Sequence, residues 1–157
     1  MKIGIVMGSA SDWGVMKAAP ETLETLGVEH EVKVLSAHRT PRELEDWVKS
    51  LRERDFAAVI AGAGGAAHLA GVVAAFTTLP VIGVPVKGLA FEGMDSLLSM
   101  VQMPPGIPVG VMAVNGAKNA ALFAAEIIGA TDSQMKEKLD EFRKQQAEKV
   151  LTSSPVK

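Results

Sequence analysis

Five times along this chain a short apolar or alternating run gives way to a longer segment with helical spacing. The runs cover residues 3–7, 29–35, 56–61, 80–84 and 108–114. Each is short and bounded by Gly, Pro or polar residues, so each reads as a strand. Ser11 or Asp12 can cap a helix that runs to Leu26 and stops at Gly27. Pro20 lies inside that segment and should bend or split it. Pro41 suits the first turn of the next helix, 41–54, whose Leu44, Trp47, Val48 and Leu51 share a face. Further helices are predicted over 67–77, 95–102 and 117–128. Strands that alternate with helices form a parallel sheet, because each crossover helix must cover a face of the sheet. The predicted fold is α/β: a three-layer αβα sandwich around a five-stranded parallel sheet.

Residues 1–130 then form a single α/β domain, large enough for a substantial core. Residues 131–151 form an extra, highly charged C-terminal helix. Its stripe of Met135, Leu139, Phe142 and Val150 could pack on its own domain or on a neighbouring subunit. The tail, 152–157, is expected to fray.

Composition removes several classes of function. The net charge of −2 gives no global field for nucleic acid or an anionic membrane. Aromatic residues are only 4%, with no Tyr, which leaves little surface for stacking on single-stranded nucleic acid. The absence of Cys excludes disulfides, thiol catalysis and Cys-ligated zinc, and it fits a reducing compartment. The first apolar run meets Gly8 too soon for a signal peptide, and no run reaches the ~20 apolar residues of a membrane span. A cytoplasmic protein is expected.

Ligands of open parallel sheets bind outside the carboxyl ends of the strands. The distinctive loops fall there: GSASD (8–12), SAHRTP (36–41), AGAGGAAH (61–68), GVPVKG (83–88) and AVNGAKN (113–119). GSASD offers Gly8, the hydroxyls of Ser9 and Ser11, and free N–H groups at a helix start, a setting that suits phosphate. Asp12 would repel a phosphate but could accept hydrogen bonds from sugar hydroxyls. Alternatively, Ser11 or Asp12 is only a helix cap. Arg39 could grip phosphate bidentately or pair with Glu43 on the next helix. His38 could move a proton to or from a ligand carbon or nitrogen, or could be an ordinary hydrogen-bonded loop residue. No second base is evident beside it.

The Gly-x-Gly-x-x-Ala pattern at 62–67 follows the third strand rather than the first and has no acidic partner at the expected distance, which argues against a dinucleotide. Its glycines can let backbone approach a small ligand, with His68 as a second polar contact. The three histidines lack metal-site spacing.

GSASDW, SAHRTP, AGAGGAAHL, LPVIGVPV, GMDSLLSMVQMP and NAALFAAEI, in this order, resemble the PurE family in its mutase branch (class I). These are the N5-carboxyaminoimidazole ribonucleotide mutases of purine biosynthesis, and the resemblance spans about residues 3–129. It implies a flavodoxin-like sandwich, a homo-octamer with active sites at subunit contacts, a small nucleotide substrate, and no metal, cofactor or ATP. Carried over by position, Ser9 and Arg39 would hold the 5′-phosphate, with Gly8, Ser11, Ser36 and Ala37 in the same loops. Asp12 would bind the ribose and His38 would be the general acid/base. Gly64, Gly65, Ala66, His68 and Leu69 would wall the base and carboxylate. The chain departs from the family pattern at Pro20, at Ala70-Gly71-Val72, in KGLAFE (87–92), at Pro105 and in a shortened 114–116 segment. Two other readings stay open: a direct carboxylase of the same family using CO2, and a flavodoxin-like module that binds FMN or a sugar phosphate without turnover.

Overall fold

The structure, a computed structural model, describes residues 1–88 and 90–153. Leu89 of the KGLAFE segment and the tail from 154 onward lie outside the described residues. The strands are β1 (Lys2–Met7), β2 (His30–Val34), β3 (Phe56–Gly64), β4 (Val81–Val86) and β5 (Gly110–Val111). All neighbours pair in parallel, in the order β2-β1-β3-β4-β5. This is the flavodoxin-like order, and its direction of winding reverses between β1 and β3.

The helices are α1 (Trp13–Met16), α2 (Ala18–Leu26), α3 (Pro41–Ser50), α4 (Leu69–Phe76), α5 (Met94–Val101), α6 (Ala117–Gly129) and α7 (Ser133–Thr152). Side chains of a strand alternate between faces, and the core divides accordingly. Ile3, Ile5 and Met7 of β1, with Ala58 and Ile60 of β3, pack under α2, α6 and the start of α7. Val6, Val59, Ala61 and Ala63 pack under α3, α4 and α5. The buried face of α6 is built from Ala117, Ala120, Ala121, Ala124 and Ala125, all at 0% exposure, so this helix lies close against the sheet.

Three boundaries differ from the sequence reading. The first helical segment is split, as Pro20 requires: a 3-10 turn (Ala10–Asp12), then α1 and α2 separated at Lys17. Pro20 sits in the first turn of α2 and has no N–H to return to Met16. β3 continues through Gly62-Ala63-Gly64, residues read from sequence as loop. It remains paired there with Met7 on one side and Val86 on the other. At Gly62 an added Cβ would lie 2.2 Å from Met16 Sδ, so any larger residue would displace that buried side chain. β5 is only two residues rather than 108–114. Pro108 cannot donate to a ladder, and Asn115 at φ 60° turns the chain away.

Asp132 caps α7 by accepting the Met135 N–H at 3.0 Å. Met135 and Leu139 are buried in the molecule's own core. Val150 and Leu151 are 71% and 77% exposed, so the expected stripe docks only at its first half. Among the described residues no helix is long and apolar enough to cross a membrane.

One polar cluster ties the edge strand to α3. The Trp47 indole donates to Glu31 at 2.8 Å, and Arg54 donates to the other carboxylate oxygen, with Lys33 nearby. Partial burial pushes the Glu31 carboxyl up, but these hydrogen bonds and charges outweigh it and hold the group below its ordinary value of 4.5. A depressed folded-state value stabilises the fold above the unfolded value, and that contribution is lost as pH falls through the folded value. Glu31→Gln is therefore expected to cost about 1–2 kcal/mol at neutral pH, as for loss of a charge-assisted hydrogen bond. In denaturant titrations the gap from wild type should close at pH below 4.5; a gap independent of pH would remove the ionic cause.

Candidate active site

Three loops meet at the carboxyl ends of β1, β2 and β3, around the point where the winding reverses. In the first of them Ser9 caps the 3-10 turn: its hydroxyl accepts the Ser11 N–H at 3.3 Å and the Ser11 hydroxyl at 2.9 Å. Asp12 stands at the N-cap position of α1, one of the two places expected, but its side chain makes no capping bond to that helix. Asp12 completes a capping box by accepting the Ser9 N–H at 3.1 Å. Asp12 is only 8% exposed. Burial raises its carboxyl above the ordinary value, opposed by the Ser9 N–H and the Arg39 charge. Donors from a ligand would favour its charged form.

In the second loop the Ser36 hydroxyl accepts the N–H groups of His38 at 3.3 Å and Arg39 at 3.2 Å, and Arg39 Nε at 3.4 Å. The Arg39 guanidinium reaches across to the Gly8 carbonyl at 2.8 Å, binding the second loop to the first. Among the described residues it makes no ion pair with Glu43, so that alternative falls.

The third loop supplies the largest correction. His38 Nε2 lies 2.8 Å from His68 Nδ1, with the rings edge to face at 5.0 Å. One nitrogen must carry the proton and the other accept it. His38 therefore does have a second base beside it. The two residues are thirty apart in sequence, and only the strand order explains the contact. β2 and β3 flank β1, so their ends stand about 10 Å apart, a gap that two imidazoles can bridge.

The loops enclose an open cavity of about 440 Å³. It is lined by Gly8, Ser9, Ser11, Asp12, Ser36, Ala37, His38, Arg39, Gly64, Ala66, His68 and Leu69. Gly65, expected with them, does not line it; its φ of 63° turns the chain from β3 toward α4. Ala63 also lines it; it lies in the 61–68 segment but was not among the residues expected at the site, since an alanine carries no polar group to mark it. Pro20, Ala70 and Pro105, where the family pattern is broken, are not in the lining, and Ala70 is fully buried. A larger groove of about 940 Å³ lies at the opposite ends of β4 and β5. It is mostly apolar and is lined by Lys49 and Arg52 but by no histidine or carboxylate, so the groups suited to acid/base work favour the smaller cavity.

The smaller cavity brings together one arginine, two histidines, one carboxylate and three serines. Known proteins resemble this chain over nearly its whole length. The AIR carboxylase family profile matches residues 2–149. The N5-carboxyaminoimidazole ribonucleotide mutase of Vibrio parahaemolyticus is 55% identical over 98% of this chain and 96% of its own. Those of Pyrococcus abyssi and Escherichia coli are 56% and 51% identical over 90% and 96% of this chain, and 82% and 90% of their own. The crystal structure of Treponema denticola PurE superposes with a TM-score of 0.88 at 29% identity, covering 96% of this chain and 94% of that one. Profile, sequence and backbone agree over nearly the whole length, and the chain belongs to the AIR carboxylase (PurE) family.

Proposed function

We infer that this chain is an N5-carboxyaminoimidazole ribonucleotide mutase, an isomerase of purine biosynthesis that moves a carboxylate from N5 to C4 of the aminoimidazole ring. The observation that carries the reading is the meeting of Arg39, Asp12 and the His38–His68 pair in one cavity. Arg39 and Ser9 hold the 5′-phosphate, and Asp12 accepts from the ribose hydroxyls. His38 gives a proton to the carbamate nitrogen, whose bond to the carboxylate carbon breaks to release CO2. The remaining enamine attacks CO2 through C4, and His38 removes the C4 proton to restore the aromatic ring. One proton is given and one taken, so the cycle closes without a cofactor. Ala63, Gly64 and Ala66 offer CO2 an apolar wall that keeps it near C4.

The working form is a cytoplasmic homo-oligomer, an octamer. In support, Met94, Leu98 and Val101 of α5, with Phe91 just before it, are exposed apolar side chains. The test of function is an absorbance assay with fresh carbamate nucleotide and no added bicarbonate. Rapid formation of the C4 carboxylate is expected. Product formed only from aminoimidazole ribonucleotide and high bicarbonate would make the enzyme a direct carboxylase instead.

A further inference from the structure

Thr40 occupies the N-cap position of α3, directly before Pro41. A threonine there ordinarily turns its hydroxyl forward, to accept an N–H from the first turn of the helix. This one makes no such bond. Its hydroxyl points backward instead. It accepts the Ser36 N–H at 2.8 Å and donates to the Ser36 carbonyl at 3.2 Å. The Thr40 N–H reaches the same carbonyl at 3.0 Å. Both backbone polar groups of Ser36 are thus fixed by one residue, and the hydroxyl of Ser36 in turn receives the N–H groups of His38 and Arg39.

We propose that Thr40 is a positioning residue: it closes the Ser36–Thr40 turn so that His38 is delivered to His68 at hydrogen-bond distance. Helix capping has been given up for a bond that only the turn can use. Arg39 has an independent anchor on the Gly8 carbonyl. Among the described residues His38 has none beyond Ser36 and His68. Loosening the turn therefore displaces the proton-transfer group more than the phosphate grip.

The test compares Thr40→Val, which keeps the branched shape and removes the hydroxyl, with Thr40→Ser, which restores it. Its kinetic arm rests on the mutase reading; its spectroscopic arm does not. Thr40→Val is expected to lower kcat about tenfold to a hundredfold, the scale of a displacement near 1 Å. KM should stay within about threefold, and Thr40→Ser should recover most of kcat. In the ligand-free protein, the imidazole nitrogen NMR signals of His38 and His68 should change in Thr40→Val and return in Thr40→Ser. If Thr40→Val only lowers Tm, with kcat and those signals unchanged, Thr40 is purely structural and the proposal fails. If wild type has no mutase activity, the function is wrong, and the imidazole signals still decide the role of Thr40. If Thr40→Val does not fold, amide exchange decides in the wild type: a protected Ser36 N–H supports the closed turn, and one exchanging at the rate of an open loop overturns it.

Discussion

His38→Asn is expected to lower kcat by about a hundredfold to ten-thousandfold, the usual contribution of a positioned acid/base. Nucleotide binding should remain close to wild type, because the phosphate and ribose contacts belong to other residues. Asn can still donate a hydrogen bond into the cavity, but it cannot take up the C4 proton or give one to the carbamate nitrogen. The nearby His68 makes the size of the loss informative. With its ring nitrogen 2.8 Å from His38, it could take over part of the proton transfer, so the residual rate measures how well it reaches the substrate. The measurement is a pair: kcat from the absorbance assay and Kd from calorimetry with the product. Wild-type turnover in His38→Asn would move the acid/base role elsewhere, with His68 as the first candidate.

Arg39→Ala is expected to raise KM about tenfold to a hundredfold, corresponding to loss of a charge-assisted phosphate contact of about 1.5–3 kcal/mol. Its effect on kcat should be smaller, since the contact is the same in the ground and transition states. Two functions are lost together. The guanidinium faces the cavity, and it also ties the second loop to the Gly8 carbonyl. Arg39→Lys separates them only in part: an ammonium restores the charge but not the planar fork. Inorganic phosphate should inhibit wild type competitively and Arg39→Ala more weakly. Equal inhibition of both would place the phosphate elsewhere.

The framework of the fold was readable because each element buries one face, and burial leaves a local period in the sequence. β1, β2 and β4, and the apolar face of α3, follow from that period alone. So does the split before Pro20, which is covalent in origin. What escaped was set by partners distant in sequence. Gly62 and Gly64 look like loop in isolation, and they are strand because they pair with Met7 of β1 and with Val84 and Val86 of β4. That Ser9 would cap a separate 3-10 turn ahead of Asp12 depended on how the polar GSASD segment would turn. The site loops could be placed from the rule for parallel sheets, and the residue types indicated an anion. The His38–His68 contact needed the strand order, which local spacing does not encode. The backward turn of Thr40 depends on the geometry of a single loop, and the sequence shows only a threonine where a cap is usual.

The alanine face of α6 has a consequence for how the protein tolerates change. Truncation scanning finds weak points by removing atoms, and here there are almost none to remove. A scan by alanine would leave these five positions untested and register only neighbours such as Leu122, Ile127 and Ile128, although all five are fully buried in the core. Alanine has no rotamers to freeze, so ordering this face costs little entropy. Every larger replacement must instead lift the helix from the sheet or crowd it, at about 1–3 kcal/mol per site. The sensitivity of these five positions is one-sided: deletion tests would pass over them, and growth of any one side chain would be resisted.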